Sequence, residues 1–376
     1  MTTQVSPLLA LRARLSRWLD EPNPVWLREM RQSARLHRTP VILSVVTLAV
    51  SLLITSIGGI ASLSEDSASV GVALFHTFFS LGLGVVAWVG PAVAATTIAV
   101  ERSQRTWEAL TLTGMTPERI AFGKFLSAFT YVASYLVAMA PVGMLPFLFG
   151  GVSAGEVLAA FFLLFVAAAL SVAFGLAVSS RLQSPATAIV VALLAAIPLS
   201  LTLYGFLGFG VGAMLHSLWE VIPLGAPIWL PGAWFRVPLS LGWFVALILI
   251  PAVLVLVPGT FLHRVTVANL AGLTDDRTTK LRLWALWALP LLCVTAILPA
   301  FAFDDLARPV ALLAIGLCQF PILGMTLLFA GDPLGPSRRV QQRWALTALS
   351  PLRRWFGPGI TRTMLQQWLL GWALLA

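Results

Sequence analysis

Few residues in this chain have the types and spacing that chemistry needs. Cys293 and Cys318 are its two cysteines, too few for a disulfide framework or a four-ligand zinc site. Facing one another they would make a thiol pair or a soft metal site. No cluster of His, Met or acidic ligands accompanies them, so they read as inert buried thiols. His76 sits inside an apolar stretch with no charged neighbour in sequence. A proton-responsive group is one reading, and a hydrogen-bonded packing residue is the favoured one. Gly123-Lys124 is the one Gly-Lys pair, but Glu118 stands where a phosphate-binding loop needs its first glycine, and Phe125 follows the lysine. The chain therefore lacks a P-loop for ATP. No convergent group of His, Asp or Glu suits a membrane enzyme. The scarcity of ionisable groups inside the apolar stretches also disfavours an ion-coupled carrier.

The densest polar pattern is the stretch 101–124, ERSQRTWEALTLTGMTPERIAFGK. It reads as a short helix, a break and a second helix start. Thr113-Gly114 supplies the stop, with glycine at a left-handed position. Thr116-Pro117-Glu118 supplies the start: a capping side chain, a proline suited to the first turn, and an acid at the positive helix end. Trp107, Leu110 and Leu112 give this tip apolar content that a plain connector does not need. A tip held between two membrane helices is suited to pass force to both.

Those helices follow from composition. The 376 residues include 24 basic and 15 acidic ones, 10% charged in all, against about 25% in an ordinary globular chain. Hydrophobic residues make up 59% and the mean hydropathy is +0.91. That much apolar surface excludes a soluble domain, a disordered chain and a secreted scaffold. An all-α polytopic membrane protein remains. A span needs about 20 mostly apolar residues, and eight stretches qualify: 41–62, 70–100, 120–148, 156–179, 186–208, 239–262, 283–303 and 309–330. A further apolar stretch, Met364 to Ala376, is too short to cross at about 1.5 Å per residue. It reads as a half-inserted helix or the start of something longer. The preceding SPLRRWFGPGITR echoes the Pro- and Arg-rich approach to the first span.

Alternating the spans from a cytoplasmic N-terminus puts 22 of the 24 basic residues on the cytoplasmic side, with nine acids. Arg236, Arg308 and six acids fall outside. This positive-inside bias accounts for the net charge of +9 and makes a nucleic-acid partner unnecessary. The polar N-terminus is no cleavable signal peptide. It contains two basic amphipathic stretches. In the first, Leu8, Leu11, Leu15, Trp18 and Leu19 oppose Arg12, Arg14 and Arg17. In the second, Trp26, Met30 and Ala34 line one face beside Arg28, Arg31 and Arg35. Such helices lie in the bilayer interface, with arginines on lipid phosphates. A surface that also meets a cytosolic partner is the sharper alternative. The segment 209–238, with four prolines and Trp219, Trp229 and Trp234, reads as short interfacial or re-entrant helices on the outer side. Ser171 and Gly175 form a small-xxx-small pair for close packing, and Pro91 and Pro141 are expected to kink their spans.

The stretch 101–124 resembles type-2 ABC transporter permeases, the membrane subunits of ABC exporters. Glu101, Arg102, Thr106, Glu108, Leu110, Thr113, Pro117, Gly123 and Lys124 match that family's loop in register. Ser103 replaces its second acid and Arg105 its usual glycine. NPVWLREMRQ is similar to the family's elbow helix, and 209–238 sits where the family carries re-entrant outer helices. The resemblance covers about residues 20–265. It implies a six-span core over 41–263 with a coupling helix at 101–118. It also implies additional C-terminal spans in 264–376, which it does not explain, and elbow helices in 1–40. It assigns ATPase coupling to Glu101, Arg102, Trp107, Glu108 and their neighbours, and the interfacial elbow to Trp26, Arg28, Arg31 and Arg35. It implies an ABC-type ATP-binding subunit that uses ATP and Mg, with no cofactor on this chain. A second permease copy or a paired permease would complete the path in a bacterial-type cytoplasmic membrane. A non-transporting anchor that recruits a cytosolic complex is the alternative.

Overall fold

The computed structural model describes residues 22–34, 38–61, 66–205, 212–221, 230–272, 275–298, 335–346 and 359–375, with single positions between 315 and 357. The first amphipathic stretch, Arg35, Cys318 and the 309–330 span as a whole lie outside the described residues. The described chain is helical: α1 Pro24–Ala34, α2 Arg38–Ala61, α3 Ser67–Ser103, α4 Trp107–Leu112, α5 Pro117–Gly143, α6 Leu145–Phe149, α7 Ala154–Ser179 and α8 Pro185–Gly205. There follow α9 Gly212–Leu218, α10 Leu230–Arg236, α11 Leu241–Phe244, a π turn at Val245–Leu249, α12 Ile250–Leu270, α13 Thr279–Ile297, α14 Arg338–Leu346 and α15 Ile360–Leu375.

The protein is an all-α, multi-pass membrane protein. Among the described residues, five helical segments are long and apolar enough to cross a bilayer: Ser67–Ser103, Pro117–Phe149, Ala154–Ser179, Leu241–Leu270 and Thr279–Ile297. Thr47–Gly59 in α2 and Pro185–Leu201 in α8 are shorter apolar segments. These seven fall on the first seven expected spans. Their outward faces carry Leu48, Leu52, Leu158, Phe162, Leu194 and Leu256 exposed, a surface that calls for lipid rather than water.

α3 is the central helix. It lies against α7, α8 and α5, and α12 lies on α7. The close approach of α3 and α7 comes from small residues. A Cβ on Gly175 would meet the Pro91 carbonyl oxygen at 2.4 Å, and one on Gly90 would meet Ser171 Oγ at 2.1 Å. Both helices run through their prolines, Pro91 in α3 and Pro141 in α5. Farther along, Ser179 Oγ accepts from the Ile98 and Ala99 amides at 3.2 and 3.1 Å, tying α7 to α3 a second time. Phe75, Phe78, Phe79 and Phe161 fill the same interface with mutual ring contacts. α13 packs on α12 through Val253, Val257, Leu281, Trp284 and Leu289.

The end opposite the basic loops is closed by shorter pieces. Ser153 and Glu156 form a capping box that starts α7. Glu156 Oε1 also accepts from Arg236 Nε at 3.3 Å, which holds α10 against α7. Trp234 Nε1 donates to the Leu247 carbonyl in the π turn at 3.0 Å. The described residues of the 209–238 segment thus form two short helices, α9 and α10, gathered around Met214, Leu215, Ala233 and Val237. Trp219 and Trp234 pack partly into that cluster. Trp229 lies outside the described residues.

Candidate functional site: the hairpin between the second and third spans

At the basic end, α3 runs through Ser103, the six-residue α4 follows, and α5 begins at Pro117. Residues 101–103 therefore belong to the second span and 117–118 to the third. The tip proper is 104–116. Gly114 takes φ 74°, the expected left-handed stop. Thr116 Oγ1 accepts from the Arg119 amide at 3.3 Å, the expected cap, with Pro117 in the first turn.

The turn from α3 into α4 has its own device. The Thr106 amide and hydroxyl both donate to the Glu101 carbonyl, at 3.0 and 3.3 Å. Arg105, standing at the family's glycine position, takes φ 58°, a region that costs an ordinary L-residue about 1–2 kcal/mol. Arg105→Gly should therefore raise stability, by about 0.5–1 kcal/mol once glycine's extra chain entropy is set against the relief. Thermal unfolding in detergent reads this directly, and an unchanged or lowered midpoint would contradict it.

The nine matched positions and Trp107 divide by exposure. Leu110 is buried in the main core, with Trp107 and Met115 packed partly against it, so α4 rests on the bundle. The Arg102 guanidinium lies over the Trp107 ring, 5.6 Å from its centroid. Thr106, Glu108 and Thr113 are exposed, and Pro117 is half-buried. Leu112 is 86% exposed at the tip. Glu118 pairs with Lys280 at the start of α13, linking the hairpin to the seventh span.

Glu101, Gly123 and Lys124 do something else. They receive α1. Asn23 caps α1 by accepting from the Val25 amide at 3.0 Å, and its Nδ2 donates to the Arg119 carbonyl at 2.8 Å. Lys124 is 2% exposed. Its ammonium pairs with Glu29 of α1, lies 2.8 Å from Glu101 Oε1, and donates to the Thr97 carbonyl at 3.2 Å. Arg28 closes on the same Glu101 oxygen. Ser127 Oγ donates to Glu29 Oε2 at 2.5 Å. Three elements, α1, α3 and α5, thus meet on one buried ammonium. Gly123 makes the approach possible, because a Cβ there would meet Asn23 Oδ1 at 2.5 Å and Val25 Cβ at 2.8 Å. Gly123→Ala should push α1 off its seat at a cost of about 1–3 kcal/mol. Protease sensitivity within residues 22–34, set beside the unfolding midpoint, would show whether that helix is what moves.

The elbow residues also make contacts within the chain. Trp26 donates from Nε1 to Thr130 Oγ1 at 3.2 Å, and Val25 is buried. Arg28 pairs with Glu101 and stays exposed, as does Arg31. The docking contacts of Glu29 and Asn23 carried no signal in the sequence, because their partners stand 95 and 96 residues away. His76 packs edge-on to Phe75, and its Nδ1 is buried without a hydrogen-bond partner. Cys293 is buried. Among the described residues no three His, Cys, Asp or Glu side chains gather as metal ligands.

A family model for ABC-2 family transporter proteins matches residues 56–262, just over half of the chain, and spans the hairpin and the helices that hold it. The chain belongs to that family. No curated protein and no solved structure shows significant similarity to it. The permease is therefore a membrane subunit of a transport system and not an enzyme. Its hairpin joins the second and third spans, α3 and α5, which lie whole within the match. The seventh span, α13, and α15 lie beyond it.

Proposed function

We propose that this permease is half of the membrane path of an ATP-driven exporter, and that the tip 104–116 takes the stroke of a separate ABC-type ATP-binding subunit. The basic end then faces the cytoplasm of a bacterial-type cell, with the N-terminus inside and α9 and α10 outside. ATP and magnesium are used on the partner, and a second copy or a paired permease completes the path. The observation that carries this reading is the contrast within the loop. Its base is clamped by a buried ion network, while its tip exposes Leu112 together with Glu108 and Arg105. A rigid base with an exposed tip transmits displacement to α3 and α5 together. The bundle interior is lined by apolar and small residues, which suits an amphipathic or lipid-like cargo.

The test is co-purification with a candidate ATPase, followed by its ATPase rate with and without the permease. Trp107→Ala combined with Glu108→Ser should weaken association and abolish stimulation. Intact association and stimulation in that variant would rule out the coupling role. Association without any transport in reconstituted vesicles would support the anchor reading instead.

A further inference from the structure

The approach to α15 repeats the approach to α1. Pro24, Arg28, Met30 and Gln32 recur as Pro358, Arg362, Met364 and Gln366, all in one register. The placement repeats as well. α1 is moored near the start of a membrane helix, α5, by the buried cation Lys124. α15 is moored near the start of another, α13, by the buried cation Arg282. Arg282 Nη1 donates to the Gly357 carbonyl at 2.5 Å and Nη2 to the Gly359 carbonyl at 3.3 Å. Gln366 Nε2 returns a bond to the Arg282 carbonyl at 3.3 Å.

α15 also has its polarity reversed. Thr363, Gln366 and Gln367 face inward, with Gln367 only 2% exposed. Leu365, Trp368, Leu369 and Trp372 face outward at helical spacing, both tryptophans 60% exposed. In water a helix buries its apolar stripe and shows its polar one. The reverse is favourable only where the surroundings are less polar than the protein interior. The neighbouring span agrees, since α13 leaves Leu283, Trp287, Leu291 and Val294 exposed on its own length. Along α15 the exposed residues change from Thr361 and Arg362 to the apolar stripe, so the helix is polar where it begins at the basic end and apolar beyond.

We infer that α15 is a second elbow-type helix that enters the bilayer from the basic end, with the stripe Leu365, Trp368, Leu369 and Trp372 against lipid acyl chains. Tryptophans at one-turn spacing suit that depth, with an apolar ring and a polar N–H near the headgroups. Arg282 holds the polar edge of the helix on α13 and keeps the stripe turned outward.

Spin labelling of the full chain in phosphatidylethanolamine and phosphatidylglycerol vesicles tests this. Cys293→Ala and Cys318→Ala clear the background, and Thr361→Cys, Trp368→Cys and Trp372→Cys each carry one label. Labels at 368 and 372 should be reached by oxygen and shielded from a water-soluble nickel chelate, with an accessibility ratio several-fold above that at 361. Equal nickel access at all three positions would place the helix in water and overturn the inference. Labels at 368 and 372 shielded from both reagents would mean that another polypeptide covers the stripe, which overturns it equally. Arg282→Leu should increase label mobility at 368. If mobility there is unchanged while the variant remains folded, Arg282 is not the mooring.

Discussion

Lys124→Met is expected to destabilise the permease by about 3–5 kcal/mol, the cost of leaving buried charge without its partner. An ammonium has three donors, and in Lys124 they meet Glu29, Glu101 and the Thr97 carbonyl. Methionine fills much the same volume and supplies none of them. Among the described residues Glu29 would keep Ser127 as its side-chain partner, and Glu101 would keep Arg28. Glu101 starts from a weak position, because its buried Oε2 has no hydrogen-bond partner among the described residues. The single substitution does not measure what the network is worth. The triple variant Glu29→Leu, Glu101→Leu and Lys124→Met removes all three charges together, and replacing a buried ionic group by apolar side chains is often neutral or stabilising. Denaturant unfolding in detergent should therefore show the single variant far below the triple one. Equal losses in the two would mean that packing, not electrostatics, holds α1. A loss under about 1 kcal/mol in the single variant would mean that the site is effectively solvated, as at an exposed pair.

The spans and the break at 113–116 were legible because each rests on short-range chemistry. Twenty apolar residues make a membrane helix wherever they lie. Gly114 and Thr116-Pro117 stop and start helices through their own backbone and side-chain bonds, which the φ of 74° and the Thr116 cap bear out. The Ser171 and Gly175 pair was legible as a packing site, although not its mate, since nothing local ties it to Gly90 and Pro91 across the interface.

The site was harder to read for a physical reason. Glu101 and Lys124 end the loop motif and look like parts of a docking surface. In the fold they face α1, Glu101 through Arg28, 73 residues away in the chain, and Lys124 through Glu29, 95 residues away. An ion pair across such a separation leaves no periodicity in the sequence. Leu112 was visible only as one of three apolar residues in a loop. Its exposure, set against the burial of Leu110 two positions earlier, depends on which side of α4 rests on the bundle. The family's matched positions thus serve two purposes in this permease. Glu101, Gly123 and Lys124 fix where the hairpin stands, while Glu108, Thr113 and the unmatched Leu112 form what it presents.

That division sets up the second large effect. Leu112→Asp should abolish productive coupling and leave the isolated permease as stable as before. At 86% exposure the side chain has almost no contacts to lose within the chain, so the unfolding midpoint should shift by less than about 0.5 kcal/mol equivalent. In a docked complex the same leucine would enter a desolvated pocket. A buried carboxylate there costs far more than a lost methyl group, and a central anchor is typically worth about 2 kcal/mol or more, roughly a thirtyfold loss of affinity. Lys124→Met works the other way, lowering stability first and coupling only as a consequence. Measured side by side, the two variants separate the clamp from the tip. Leu112→Asp with undiminished binding of the ATP-binding subunit would remove this leucine from the interface and leave Glu108 and Thr113 to carry it. Leu112→Asp with a large stability loss would instead place the leucine inside the permease's own packing, and the tip would then have no apolar anchor with which to take a stroke.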